Sequence, residues 1–326
     1  MRYLFLSMTV AALLAGAAVL PAGVSWAGSC CGGASPTSLI VPKYAMAVAD
    51  LSFDMELYNG YWDQAGNHRS DPPGSDLKQY RLNLGYGQRF FEDWQVSIVL
   101  PYVWNVNRYS GLSSETSGLG DMTVAVWYDA VDERSPWRVR QLGDLVPAVT
   151  VGLSLLLPTG ISPYDDVKSS FDVTGRGFYR LDGNLLIDKT IHPWNASIAL
   201  SYGTYFERSV NRDYGKYVEP YTKQLGNRLC ITTSVGYRYV LGAGGDSLTG
   251  TVSHNYLQED SGSINGRGND LTAFSKQSLG FALVYGSTDD DWNARISWNH
   301  ALSGNGWGSN FPTTDIITVG VRYVLR

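Results

Sequence analysis

The chain has few cysteines, no strong excess of either charge and, beyond its first residues, no long hydrophobic run. Three cysteines among 326 residues are too few for a disulfide framework. A net charge of −5 gives no basic footprint for nucleic acid, so we expect no nucleic-acid partner. After residue 27 no stretch approaches the roughly 20 apolar residues of a membrane-spanning helix. If the chain crosses a membrane, it must therefore do so as a closed β-barrel.

Sequence motifs that hold cofactors are also missing. The chain contains no CxxCH haem-attachment motif, no CxxC pair and no glycine-rich phosphate loop, and we expect no cofactor. Mean hydropathy is only −0.13, yet 13% of the residues are aromatic and 36 are glycine. A membrane barrel has this profile because its polar lumen residues dilute the lipid-facing ones in any average.

The first 27 residues have the form of a secretory signal peptide. A positive charge at Arg2 precedes an apolar run over residues 4–20, and Ser25-Trp26-Ala27 places small residues at the −3 and −1 positions of a cleavage site. We expect cleavage after residue 27. Two alternatives stay open: a retained transmembrane helix, and a lipoprotein that carries its lipid on Cys30.

Residues 28–42 read as a flexible periplasmic leader rich in glycine, and they contain the vicinal pair Cys30-Cys31. Such a pair can bind a soft metal ion, join a protein partner or carry a lipid. It can equally be a solvent-exposed segment without a fixed role. No histidine or further cysteine lies nearby to complete a metal site, so the sequence does not decide among these roles.

Residues 43–326 alternate between apolar and polar side chains in twelve segments. The clearest segment presents one apolar face with aromatic residues at its ends: Trp94, Val96, Ile98, Leu100, Tyr102 and Trp104. Neighbouring side chains of a strand point to opposite faces, so the alternation predicts strands with one apolar and one polar face. The predicted strands are 43–58, 79–91, 94–104, 121–130, 145–158, 177–189, 194–202, 228–241, 247–257, 274–285, 292–302 and 314–326.

Aromatic residues at both ends of the apolar faces are typical of the girdles of a transmembrane β-barrel. We therefore predict a single all-β domain, an antiparallel barrel of about twelve strands in the outer membrane of a Gram-negative bacterium, in contact with its lipid. An even strand number puts both termini on the periplasmic side, where turns such as Glu92-Asp93 are short. A further hairpin within 131–144 or 260–272 would make fourteen strands.

The polar faces predict a lumen wall that carries charges of both signs. Closure places the first strand between the second and the last, so acids of the first strand lie beside bases of its neighbours. The predicted lumen charge network consists of Asp50, Asp54, Glu56, Arg81, Arg89 and Arg322. Such pairs either stabilise the wall or form a charge-selective constriction, and a mixture of signs does not strongly favour one ion.

Histidines give no reason to expect an enzyme. Alternation places His254 and His300 on the lipid-facing side of their strands near the outer edge. Ser253 and Asn255 flank His254 in the chain, but adjacent residues of a strand face opposite ways and cannot pair. We therefore predict no catalytic residues.

Four short motifs resemble those of a known family of outer-membrane transporters. They are Gly85-Tyr86-Gly87-Gln88, Val99-Leu100-Pro101-Tyr102, Gly118-Leu119-Gly120-Asp121 and Leu157-Pro158-Thr159-Gly160. Their order is similar to that in the transporters named after the MetA pathway of phenol degradation, which belong with the wider FadL-like group of hydrophobic-compound transporters. The resemblance covers about half of the mature chain. It implies a monomeric barrel that passes small, often apolar molecules.

The predicted function is therefore the passage of small molecules, with apolar or aromatic compounds favoured by the resemblance. The alternative is a structural barrel that anchors or sheathes a periplasmic or surface partner, such as an electron-transfer protein, docked through the leader with Cys30-Cys31.

Overall fold

Twelve antiparallel strands close into one barrel in the computed structural model, which describes residues 39–326 except 110, 170, 243, 244 and 290. The barrel strands are β1 (Ala47–Trp62), β2 (Asp76–Arg89), β3 (Trp94–Tyr109), β4 (Met122–Val131), β5 (Ala148–Leu157), β6 (Arg180–Ile191), β7 (Trp194–Tyr205), β8 (Arg228–Leu241), β9 (Asp246–Glu259), β10 (Phe274–Gly286), β11 (Trp292–Ala301) and β12 (Phe311–Leu325). The prediction of a twelve-stranded barrel is confirmed.

Pairing of the last strand with the first completes the barrel. β12 runs antiparallel to β1 from the pair Ala47–Leu325 to the pair Trp62–Phe311, and β9 pairs with β10. Every barrel strand therefore has two neighbours, and no strand presents an open edge to lipid. In the described part of the chain no helix is long and apolar enough to span a membrane.

The fourteen-strand alternative is not realised within the described residues. The region 260–272 does form a hairpin, Gly262–Ile264 with Arg267–Asn269, but it joins the strands Arg208–Asp213 and Lys216–Gln224 in a separate four-stranded sheet. This sheet belongs to the loops of the outer end. The other region contains only a short 3-10 turn, Leu142–Leu145.

The two faces of the wall have opposite chemistry. Large apolar side chains are exposed on the outside, such as Leu153 (61%) and Tyr239 (60%), whereas the neighbouring Ser154 faces inward and is buried. Exposed apolar surface of this extent is unfavourable in water and matches the hydrocarbon of a bilayer. Aromatic pairs lie at the inner rim, where the rings of Trp94 and Tyr128 are 4.9 Å apart.

Leu39 and Val41, which precede β1, lie inside the barrel. Leu39 and Val41 are buried and pack with Ala45, Val48 and Val324. The backbone N–H of Val41 donates to the Gln95 side chain on β3. Leu39 and Val41 thus contact the wall, although they belong to the segment 28–42 that the sequence predicts to be a flexible leader. The division into signal peptide, leader and barrel stays a prediction.

Candidate functional site

A cavity of about 580 Å³ occupies the lumen. Strand alternation directs its lining side chains inward, and they combine serine, asparagine and charged groups with an apolar set. The apolar set includes Leu39, Val99, Leu156, Leu257 and Ile316. The cavity can therefore accept a small molecule that carries both apolar and polar groups.

One charged cluster of the wall lies around Arg81 of β2. Its Nη1 donates to Glu56 Oε2 at 2.8 Å and to Gln79 Oε1 at 2.6 Å, and its Nε lies 3.5 Å from Asp54 Oδ2. Asp54 also accepts from Asn83 (2.9 Å) and Thr318 (2.7 Å). Three residues of the predicted network, Asp54, Glu56 and Arg81, therefore meet here in a buried group. Register explains the contact, because Asp54 and Arg81 are direct partners.

A second cluster lies around Asp50 of β1. Both of its carboxylate oxygens accept from the guanidinium of Arg295 at 2.7 Å, and Arg322 Nε donates to Oδ2 at 2.9 Å. Asp50 and Arg322 were predicted to share a network, whereas Arg295 was not part of that prediction. Arg295 reaches Asp50 across β12, since Gly320 between them has no side chain.

Arg89 does not join these clusters. Its Nη1 donates to Asp129 Oδ2 of β4 at 2.9 Å, and its Nη2 donates to the Val41 carbonyl at 2.8 Å. Asp129 also accepts from the Thr150 hydroxyl at 2.9 Å. The prediction of one network is therefore wrong in its connectivity, because Arg89 lies at the inner end of β2 and turns toward β4. That any of these residues form a functional site stays a prediction.

Loop 158–179 folds into the outer end of the lumen and contributes charges that the strand pattern did not identify. Arg176 binds Glu259 through both guanidinium nitrogens, with Nη2 2.7 Å from Oε1, and its guanidinium lies over the Tyr205 ring. Arg180 donates to Asp182 at 2.7 Å and to the Tyr205 hydroxyl at 2.9 Å. Glu259 lies two residues after the inward-facing Leu257 of β9. Extending the predicted strand 247–257 by two residues would therefore have placed Glu259 in the lumen.

Asp121 holds this loop against the wall. Its carboxylate accepts from the backbone N–H of Arg176 at 2.6 Å and from that of Gly160 at 3.1 Å. A Cβ on Gly160 would lie 2.7 Å from the Cα of Gly175, so the two loop arms meet only because both residues are glycine. Two of the four family-like motifs therefore contact each other at this point.

Two basic side chains of the cavity wall, Lys276 and Arg228, take no part in the ion pairs described above. Among the described residues, no carboxylate lies within 4 Å of Lys276 or Arg228, although both line the cavity. The Lys276 ammonium donates to the Thr314 hydroxyl. Neither residue was part of the predicted lumen charge network.

The histidines face outward, as alternation predicted. His254 Nε2 lies 3.2 Å from Gln277 Oε1, and His300 Nδ1 lies 2.8 Å from Asp315 Oδ1. Asp315 also accepts from the indole N–H of Trp298 at 2.8 Å. Among the described residues no group of three His, Cys, Asp or Glu side chains forms a metal site. Cys30 and Cys31 lie outside the described residues.

Two solved structures share this fold. The COG4313 outer membrane channel from Pseudomonas putida F1 aligns with a TM-score of 0.65 and 12% identity, over 90% of this chain and 100% of that chain. The β domain of the Bordetella autotransporter BrkA aligns with a TM-score of 0.50 and 13% identity, over 86% of this chain and 100% of that chain. With the exposed apolar belt, these likenesses identify a β-barrel of the outer-membrane class.

No protein-family model and no curated protein sequence matches this chain.

Proposed function

We propose that the chain is an outer-membrane channel that passes small molecules, with apolar or aromatic compounds as its favoured solutes. The observation that carries this proposal is the lumen cavity of about 580 Å³. A cavity of this size lies within the range of about 300–1,000 Å³ that small organic ligands occupy. A twelve-stranded barrel is wider than one whose side chains fill it and narrower than an open porin.

The lining of the cavity fits solutes that carry some polar groups beside an apolar or aromatic body. Val99, Leu156 and Leu257 line it beside serine and asparagine side chains, so the apolar body of a solute can contact the first set while its polar groups form hydrogen bonds with the second. The structural neighbour from Pseudomonas putida F1 is described as a channel. The resemblance to the MetA-pathway and FadL-like transporters is the support for apolar or aromatic compounds in particular.

Conductance of the purified barrel in a planar bilayer tests the proposal. We expect steady conductance that falls when a charged methanethiosulfonate modifies Cys230, which lines the cavity. The measurement uses a Cys30→Ser/Cys31→Ser background, so that only one thiol can react. A Cys230→Ser variant in that background is the control and should not respond.

A sealed barrel that copurifies with another protein would contradict the proposal and favour the anchoring or sheathing role. The described residues give that alternative no support, and the cysteine pair on which it depends lies outside them.

A further inference from the structure

The side chains that line the cavity are mostly basic, although the lumen wall as a whole carries charges of both signs. Six basic side chains line the cavity, namely Arg81, Arg176, Arg180, Arg228, Lys276 and Arg295, but only two acidic ones, Asp54 and Asp121. The carboxylates of Glu56, Asp182 and Glu259 are almost fully buried, and each binds a cation of the wall from behind. Pairing therefore leaves cations toward the cavity and acids away from it.

Most of these cations are already neutralised by a partner. Arg81 has Glu56, Arg176 has Glu259, Arg180 has Asp182, and Arg295 has Asp50, each within hydrogen-bond distance. Lys276 and Arg228 are different, because no described carboxylate lies within 4 Å of either. Lys276 is buried, and its nearest described hydrogen-bond partner is a neutral hydroxyl.

Two acids near these cations are already bound to other groups. Glu259 is the direct register partner of Arg228, but its carboxylate binds the Arg176 guanidinium and the Tyr205 hydroxyl. Glu56 acts electrostatically on Lys276, yet its hydrogen bond goes to Arg81. A buried ammonium without a close counter-ion is costly, so its environment favours an anion.

Apolar side chains separate the two cations. Cys230, Leu257 and Lys276 are register partners on three successive strands, β8, β9 and β10, and all three line the cavity. Arg228 lies two residues beyond Cys230 on the same face of β8. Arg228 and Lys276 therefore lie on strands two apart and two residues out of register, with backbones about 12 Å apart from the spacing of strands and the rise along them. Two long side chains can reach one small molecule across that distance.

We infer that Lys276 and Arg228 bind the carboxylate of a small amphipathic acid whose apolar body lies against Leu257 and Cys230. A charge-assisted hydrogen bond to each cation supplies the affinity, and the apolar row between the strands selects an organic acid over an inorganic anion. This inference rests on the proposed function for the passage of the acid, but binding itself can be measured without transport.

Benzoate and its uncharged isostere benzamide are the probes, titrated into the detergent-purified full-length barrel by calorimetry. We expect benzoate to bind roughly tenfold more tightly, as one charge-assisted contact provides. In Lys276→Gln/Arg228→Gln this preference disappears while benzamide binding is unchanged. Lys276→Arg keeps the charge and keeps the preference. The control Arg267→Gln, on an exposed turn of the outer sheet, removes a cation far from the cavity and leaves both affinities unaltered.

Equal binding of the two probes by the unaltered barrel, or full retention of benzoate binding in the double variant, would overturn the inference. Heat-modifiable migration on gels reports whether each variant has folded. If the loss of Lys276 prevents folding, the single variant Arg228→Gln replaces the double variant in the titrations. A barrel that binds benzoate but shows no conductance would contradict the proposed function and leave the site intact. A barrel that conducts but does not prefer benzoate would contradict the carboxylate site and leave the proposed function intact.

Discussion

The two ends of the lumen are occupied by chain segments of opposite chemistry. At the inner end, Leu39 and Val41 pack against the wall through apolar contacts. At the outer end, loop 158–179 is held by the Arg176–Glu259 ion pair and by the hydrogen bonds of Asp121. Residues 39–41, here called the inner segment, pack closely against β2 because Gly85 and Gly87 have no side chains. A Cβ on either glycine would lie about 3 Å from the side chain of Leu39 or Val41.

This difference predicts different responses to perturbation. The apolar contacts of the inner segment are not directional. When that segment leaves, Arg89 loses the Val41 carbonyl but keeps its ion pair with Asp129. Withdrawal of the outer loop would leave Glu259 buried beside Tyr205 without its cation, which is far more costly. We therefore expect the inner segment to leave the wall more readily than the outer loop.

Removal of the outer ion pair should have the largest effect on stability. Glu259→Ala leaves Arg176 without its carboxylate in a group where Glu259 is only 2% exposed. Loss of one member of such a pair should lower the free energy of unfolding by about 3 kcal/mol. Urea unfolding in detergent measures it. The control is Glu115→Ala, which removes an exposed acid of the strand Leu112–Leu119, paired with the outer end of β3. An equal loss in both variants would contradict the assignment.

A charge in the inner segment should release that segment without unfolding the barrel. Val41→Asp places a carboxylate at a position that is 1% exposed, which costs roughly 2–3 kcal/mol of segment docking. We expect higher conductance and faster proteolysis before β1, with little change in the urea midpoint. Met46→Ser, at an exposed position, should change neither. A large fall in the urea midpoint would show that the two ends do not differ as proposed.

Between the two ends, Asp54 should affect both stability and selectivity. Asp54→Ala removes the acceptor of Thr318 and Asn83 and leaves Arg81 with only one acid, so we expect a loss of about 2 kcal/mol. Because Asp54 lines the cavity, the reversal potential in a salt gradient should also shift toward anions. The lipid-facing Leu153→Ala should leave selectivity alone; a shift there would invert the assignment of faces.

The smallest expected effect is a pH dependence at the periplasmic connection after β4. Removal from water opposes ionisation of Glu133, but the amide of Thr190 and the ammonium of Lys189 donate to it and hold its pKa below the usual 4.5. Its stabilisation is therefore complete above pH 4.5 and is lost as the pH falls through the lowered pKa. We expect at most about 1 kcal/mol, absent in Glu133→Gln, from urea midpoints measured between pH 3 and 7.

The barrel and the facing of its side chains could be predicted because period-two alternation is local. A strand such as β6 places Arg180 and Asp182 inward and Tyr179 and Leu181 outward whatever its neighbours are. Loop lengths and strand parity then fixed the ends of the barrel. Pairing of Asp54 with Arg81 also followed, because consecutive strands of a meander are adjacent.

The actual partners of the charges depended on the tertiary structure. Arg295 reaches Asp50 because glycine occupies position 320 on the strand between them. Arg89 reaches Asp129 across β3, where its register partner Gln95 also donates to that carboxylate. Arg176 comes from a loop, which has no periodicity to read. The sequence by itself determined strands, faces and closure. Only the three-dimensional arrangement decided which carboxylates are already paired, and hence that no carboxylate of the described residues pairs with Lys276 or Arg228. The physical reason is that pairing depends on distances of a few ångström between residues far apart in the chain.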